Sequence, residues 1–97
     1  MREDLRFLWF FEFDPGDSDK VREKVRSLDV KMKEHPGEYP KLSPSYMTGR
    51  FEGYREVEAE NEEQLIRLVM HFHPEEKWKL MPIFRGSTVS KVNSSNG

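Results

Sequence analysis

Nine residues near the start of the chain, Leu5 to Phe13 (Leu-Arg-Phe-Leu-Trp-Phe-Phe-Glu-Phe), constrain the fold more than any other stretch. The run is too short and too aromatic for an ordinary helix, and aromatic enrichment over this length favours a strand. Alternation places Phe7, Trp9, Phe11 and Phe13 on one face, and Leu8 and Phe10 on the other between Arg6 and Glu12. Apolar side chains on both faces mark a central strand that must be covered twice.

After the breaker Asp14-Pro15-Gly16-Asp17 the period changes. Val21, Val25, Leu28 and Met32 fall on one face of a helix that starts at Asp17 or Ser18 and stops near His35, ahead of Pro36-Gly37. Residues 36–45 carry Pro36, Pro40 and Pro44 and read as a constrained loop. A short strand over Tyr46–Phe51, a turn at Glu52-Gly53 and a strand over Tyr54–Ala59 form a hairpin. Asn61 is an N-cap for a second helix running to His71 or Phe72, with Leu65, Leu68, Val69 and Phe72 as its buried stripe. Residues 76–85 alternate as a last strand, and Pro82 assigns it to an edge or bulge. Residues 1–86 are thus one domain, followed by a polar, flexible tail over 87–97.

Composition excludes several function classes. With no cysteine, disulfide frameworks and thiolate metal sites are ruled out. The 16 Lys+Arg and 18 Asp+Glu nearly cancel, so the cationic excess of a general nucleic-acid binder is missing. No apolar run approaches the roughly 20 residues of a membrane helix, and Met1-Arg2-Glu3-Asp4 is too acidic for a secretory leader. A cytoplasmic location without membrane association is expected. Neither a phosphate-binding glycine loop nor a serine-hydrolase, zincin or EF-hand motif occurs.

The element order predicts an α+β fold of the ferredoxin-like type, β-α-β-β-α-β, with a four-stranded antiparallel sheet and two helices on one face. The other face then lacks cover from its own chain. Because the first strand is apolar on both sides, a second copy is the expected cover, giving a homodimer through the open sheet face. The rival is a nucleic-acid platform of the RNA-recognition kind. It requires aromatics in the strand that here reads Tyr54-Arg55-Glu56-Val57-Glu58-Ala59, and Glu56 and Glu58 would repel phosphates.

Three groups of residues invite a functional reading. His71-Phe72-His73-Pro74-Glu75-Glu76 holds two imidazoles and two carboxylates. In a helix, His71 and His73 point about 200° apart, so they are poor joint metal ligands. Either they close the helix at its negative end, or one serves as a general base beside a carboxylate, and no metal or cofactor is expected. Glu12, Glu56 and Glu58 fall on the sheet face away from the helices, as solvated charge at an interface or as an acid–base group in a dimer cavity. Finally, Trp9, Tyr46, Met47 and His71 are the expected lining of a residual pocket, although large side chains are also what a domain this small needs for its core.

Several stretches resemble a family of small archaeal proteins of unknown function, of about this length, within the dimeric α+β barrel superfamily. They are Phe-Phe-Glu-Phe-Asp-Pro at 10–15, His-Pro-Gly-Glu-Tyr-Pro-Lys-Leu at 35–42, Glu-Ala-Glu-Asn-Glu-Glu-Gln-Leu at 58–65, His-Phe-His-Pro-Glu at 71–75 and Met-Pro-Ile-Phe at 81–84. The resemblance implies a ferredoxin-like protomer and a face-to-face dimer. It brings no catalytic residue with it, because no motif of the superfamily's enzymes matches. Two expectations stand. One is a dimer that binds a small apolar molecule in a sheet-side cavity, with His71 or His73 and a nearby Glu as polar groups. The other is a structural or regulatory dimer that binds a protein partner without catalysis.

Overall fold

The aromatic run forms β1 (Leu5–Phe13) in the computed structural model, which describes residues 5–96. A single 3-10 turn at Pro15–Asp17 leads into α1 (Ser18–Glu34). The remaining elements are β2 (Lys41–Leu42), β3 (Tyr46–Met47), β4 (Glu52–Ala59), α2 (Glu62–His71), β5 (Glu76–Ile83) and α3 (Gly86–Asn96). The class is α+β, with an antiparallel sheet of five strands in the order β2-β4-β1-β5 and β3 also paired to β4.

The five strands correct the expected count of four. The strand expected over Tyr46–Phe51 keeps only Tyr46 and Met47, and its edge begins earlier, at Lys41. Lys41 and Leu42 pair with Glu58 and Val57, Tyr46 and Met47 with Tyr54 and Gly53. Between them Ser43 extends the ladder, its N–H donating to the Glu56 carbonyl at 2.9 Å and its Oγ accepting from the Glu56 N–H at 2.8 Å. Pro44 then interrupts it, since proline has no N–H to give. The reversal also moves. Thr48 and Gly49 donate to the Glu52 carbonyl, so residues 48–51 turn the chain and Gly53 lies inside β4.

Helices α1 and α2 cover one sheet face. Trp9, Phe11 and Val57 from the sheet form the buried cluster with Leu28, Leu68 and Phe72. Trp9 stacks obliquely on both Phe11 and Phe72, each at 5.4 Å between ring centres, a geometry favourable beyond the area it buries. The N-terminus of α2 is capped as expected, Asn61 Oδ1 accepting from the Gln64 N–H. Gln64 is itself buried. Its amide accepts from the Glu60 N–H and donates to the Gly37 carbonyl, which ties the proline-rich segment to α2. The opposite face carries Leu8, Phe10, Tyr46, Tyr54, Met81 and Ile83, and no element among the described residues lies over it. Residues 87–96, expected as part of a polar, flexible tail, are helical together with Gly86, and the described side chains of α3 are exposed. Met1–Asp4 and Gly97 lie outside the described residues. Among the described residues no helix is long and apolar enough to cross a membrane.

Candidate functional site

On the helix-covered side, the sheet does not close fully against α1. A cavity of about 620 Å³ lies where β1, the first half of α1 and the β3–β4 turn converge. Its apolar wall is aromatic: Trp9, Phe11 and Phe13 from β1, Phe51 from the turn and Phe72 after α2. Val21, Val25 and Met47 complete that wall. The apolar parity of β1 therefore serves both the core and the cavity.

Polar groups reach the same cavity because two strands carry charged residues on their apolar parity. Arg55 pairs in register with Trp9, and shares its face with Val57 and Ala59. Its Nε donates to the Ser43 carbonyl at 2.9 Å, which fixes the guanidinium against the broken edge strand. Burial lowers its pKa, with Asp29 and Glu76 opposing that effect. Glu76 opens β5 opposite Phe13 and is 5% exposed. Burial pushes its carboxyl up to about 7, against the smaller pull of Arg55 and Lys24. A carboxyl titrating there can take or give a proton near neutral pH. Its Oε1 is buried without a hydrogen-bond partner among the described residues, as is the indole Nε1 of Trp9. Orphaned buried polar atoms each cost about 1–3 kcal/mol, and core side chains rarely leave them so.

The residues expected to act are divided among three places. Trp9 and Met47 line the cavity. Tyr46 does not: it stacks on Tyr54 at 5.3 Å on the uncovered face, in register with it. Glu12, Glu56 and Glu58 lie on that face too, with Glu58 3.6 Å from Arg6, and Glu12 beside Glu52 and Lys77. His71 joins the helices. Its Nε2–H donates to the Lys24 carbonyl at 2.7 Å and lies 3.2 Å from Ser27 Oγ, while the ring stands edge-on to Phe72. Burial is the largest influence on His71 and lowers its pKa, with the Lys24 carbonyl bond opposing and Lys31 and Lys24 assisting. His73 is exposed, and its carbonyl accepts from Lys24 Nζ, which also pairs with Glu75. That pairing holds the Glu75 carboxyl below its usual range. Among the described residues no three His, Asp or Glu side chains gather as metal ligands would.

Arg55 was not expected as a site residue, and Glu76 only as one of two carboxylates in the histidine segment; strand parity marks both, since each shares the alternation of its strand's apolar set, Val57 and Ala59 for one, Trp78 and Leu80 for the other. Comparison with protein-family models, curated proteins and solved structures returns no match.

Proposed function

We propose that the protein is a homodimer of ferredoxin-like protomers, of the dimeric α+β barrel kind, that binds a small and largely apolar molecule in the cavity on the helix side of its sheet. The strand order supports the ferredoxin-like reading once β2 and β3 are taken as a single edge strand broken at Pro44. The observation that carries the binding reading is the cavity of about 620 Å³ with aromatic walls and two orphaned polar atoms on residues that line it. A hydrophobic pocket holding a few polar groups is the usual form of a small-molecule site. Glu76, rather than His71, supplies the carboxyl or imidazole of the expected kind.

The dimer is supported by the uncovered face. Its centre is apolar and aromatic, with Tyr46 and Met81 half exposed; Glu52 and Glu56 flank it on β4 and Lys77 and Lys79 on β5, while Arg6, Glu58 and Lys41 share a register level at its other end. A structural dimer without a ligand is the second reading. The positions of His71, spent on a helix contact, and Glu56, at the surface, favour it. Binding of 2-naphthylmethanol, a neutral probe, separates the two. A ligand-binding protein shifts the Trp9 indole N–H resonance with saturable dependence on the probe. A resonance left unshifted up to the solubility limit by this probe, by 2-naphthoate and by 2-naphthyl phosphate refutes the binding reading.

A further inference from the structure

Three guanidinium groups from separate elements border the cavity: Arg22 on α1, Arg50 in the β3–β4 turn and Arg55 on β4. None of them forms an ion pair among the described residues, where the pairs are Arg6–Glu58, Lys24–Glu75 and His35–Glu38. For Arg22 and Arg50, which are exposed at the cavity's solvent end, water suffices. Arg55 is different. It is half-buried, desolvation is the largest influence on it, and its single hydrogen bond among the described residues uses Nε alone. Its two Nη groups thus keep their donors: Asp29, the larger of the two opposite charges acting on Arg55, stands at an exposed position of α1 outside the lining and forms no ion pair with it among the described residues, and a desolvated guanidinium without such a partner is disfavoured. Glu76, the acidic residue of the lining, does not cancel this charge, since its burial favours the uncharged carboxyl at and below neutral pH.

Resting on the binding reading above, we propose that the cavity's ligand is an aromatic carboxylate, its carboxylate on the free Nη edge of Arg55, Arg22 and Arg50 at the mouth, and its ring among Trp9, Phe11, Phe51 and Phe72. The Nη edge offers two parallel N–H donors, which match the two oxygens of a carboxylate. A phosphate fits less well. A dianion would be repelled by Glu76, whenever that group ionises, more strongly than a monoanion is. The aromatic wall supplies the remaining contact, with Arg50 already seated over the Phe51 ring at 5.6 Å.

The test is calorimetric titration of the full chain at pH 6.5 with 2-naphthoate, 2-naphthylmethanol and 2-naphthyl phosphate. The acid is expected to bind at least about tenfold more tightly than the alcohol, with the gap narrowing as salt rises. Arg55→Met is expected to weaken the acid far more than the alcohol and so to remove that preference. Should Arg55→Met fail to fold, the double variant Arg22→Ala/Arg50→Ala, both at exposed positions, is expected to narrow the preference about threefold. Equal affinities for acid and alcohol overturn the proposal and leave the binding reading standing. Failure of all three probes to bind overturns both. A phosphate that binds more tightly than the carboxylate, or a folded Arg55→Met variant that keeps the preference, also overturns it.

Discussion

At the scale of the residue, Glu76 couples the cavity to pH. Its carboxyl sits at about 7 against an ordinary 4.5, so the folded chain holds this proton more tightly than the unfolded chain does. The sign follows: Glu76 costs nothing below pH 4.5, stability falls as pH rises from there to 7, and the full penalty persists above. A shift of that size corresponds to about 3 kcal/mol. Glu76→Gln keeps the shape and removes the charge. It is expected to stabilise the fold by about 2–3 kcal/mol at pH 8 and to change it little at pH 4.5, as read from urea denaturation at the two values. Equal effects at both would mean that Glu76 is solvated. His71 works in the other direction, because burial lowers its pKa and its neutral form bonds the Lys24 carbonyl. Its contribution is therefore complete above pH 6.5, and is lost as the pH falls through its lowered value.

Among the elements, the broken edge strand decides the shape of the cavity mouth, and Gly53 decides where that strand can lie. A Cβ at Gly53 would meet the Tyr46 carbonyl oxygen at 2.5 Å, with Met47 Sδ and Phe11 Cζ both at 3.0 Å. The first of these atoms is backbone and cannot rotate away. Gly53→Ala is expected to destabilise the fold by about 2 kcal/mol, within the range for overpacking, and to weaken amide protection at Met47, checked by denaturation and hydrogen exchange. The position also shows how much the sequence could disclose. Period gave β1, α1 and α2 to within a residue or two, since their apolar faces repeat over nine or more positions. Local chemistry misplaced the hairpin: Glu52-Gly53 looks like a turn, but that glycine is present for close approach within a strand. Lys41–Leu42, two residues between Pro40 and Pro44, has no period to read. Arg55 was visible as a position but not as a site residue, and Glu76 only as a carboxylate of the histidine segment, because their place in the cavity depends on a gap between α1 and the sheet that no residue pattern encodes.

For the whole molecule, the charges that flank the centre of the uncovered face fix how two copies could meet. A two-fold axis perpendicular to the strands and lying in the interface would set each β4 over its own equivalent, Glu52 and Glu56 against the same glutamates. An axis along the strands exchanges the sides instead, bringing Glu52 and Glu56 of one copy to Lys77 and Lys79 of the other, around a centre of Leu8, Phe10 and Tyr54. The second arrangement is the one that the proposed dimer requires. Light scattering is then expected to give twice the 11.6 kDa mass of the chain at micromolar concentration. Reversing Lys77 and Lys79 to Glu places like charges across the interface and should yield monomers, without loss of helix signal because both side chains are exposed. Mixing that variant with Glu52→Lys/Glu56→Lys chains should restore a species of dimeric mass, since a face acidic on both strands then meets one basic on both, and it is the dissociation of each variant alone that reports the axis along the strands. Recovery of dimer by either variant alone would rule that axis out, and a monomeric wild-type chain would remove the dimer itself.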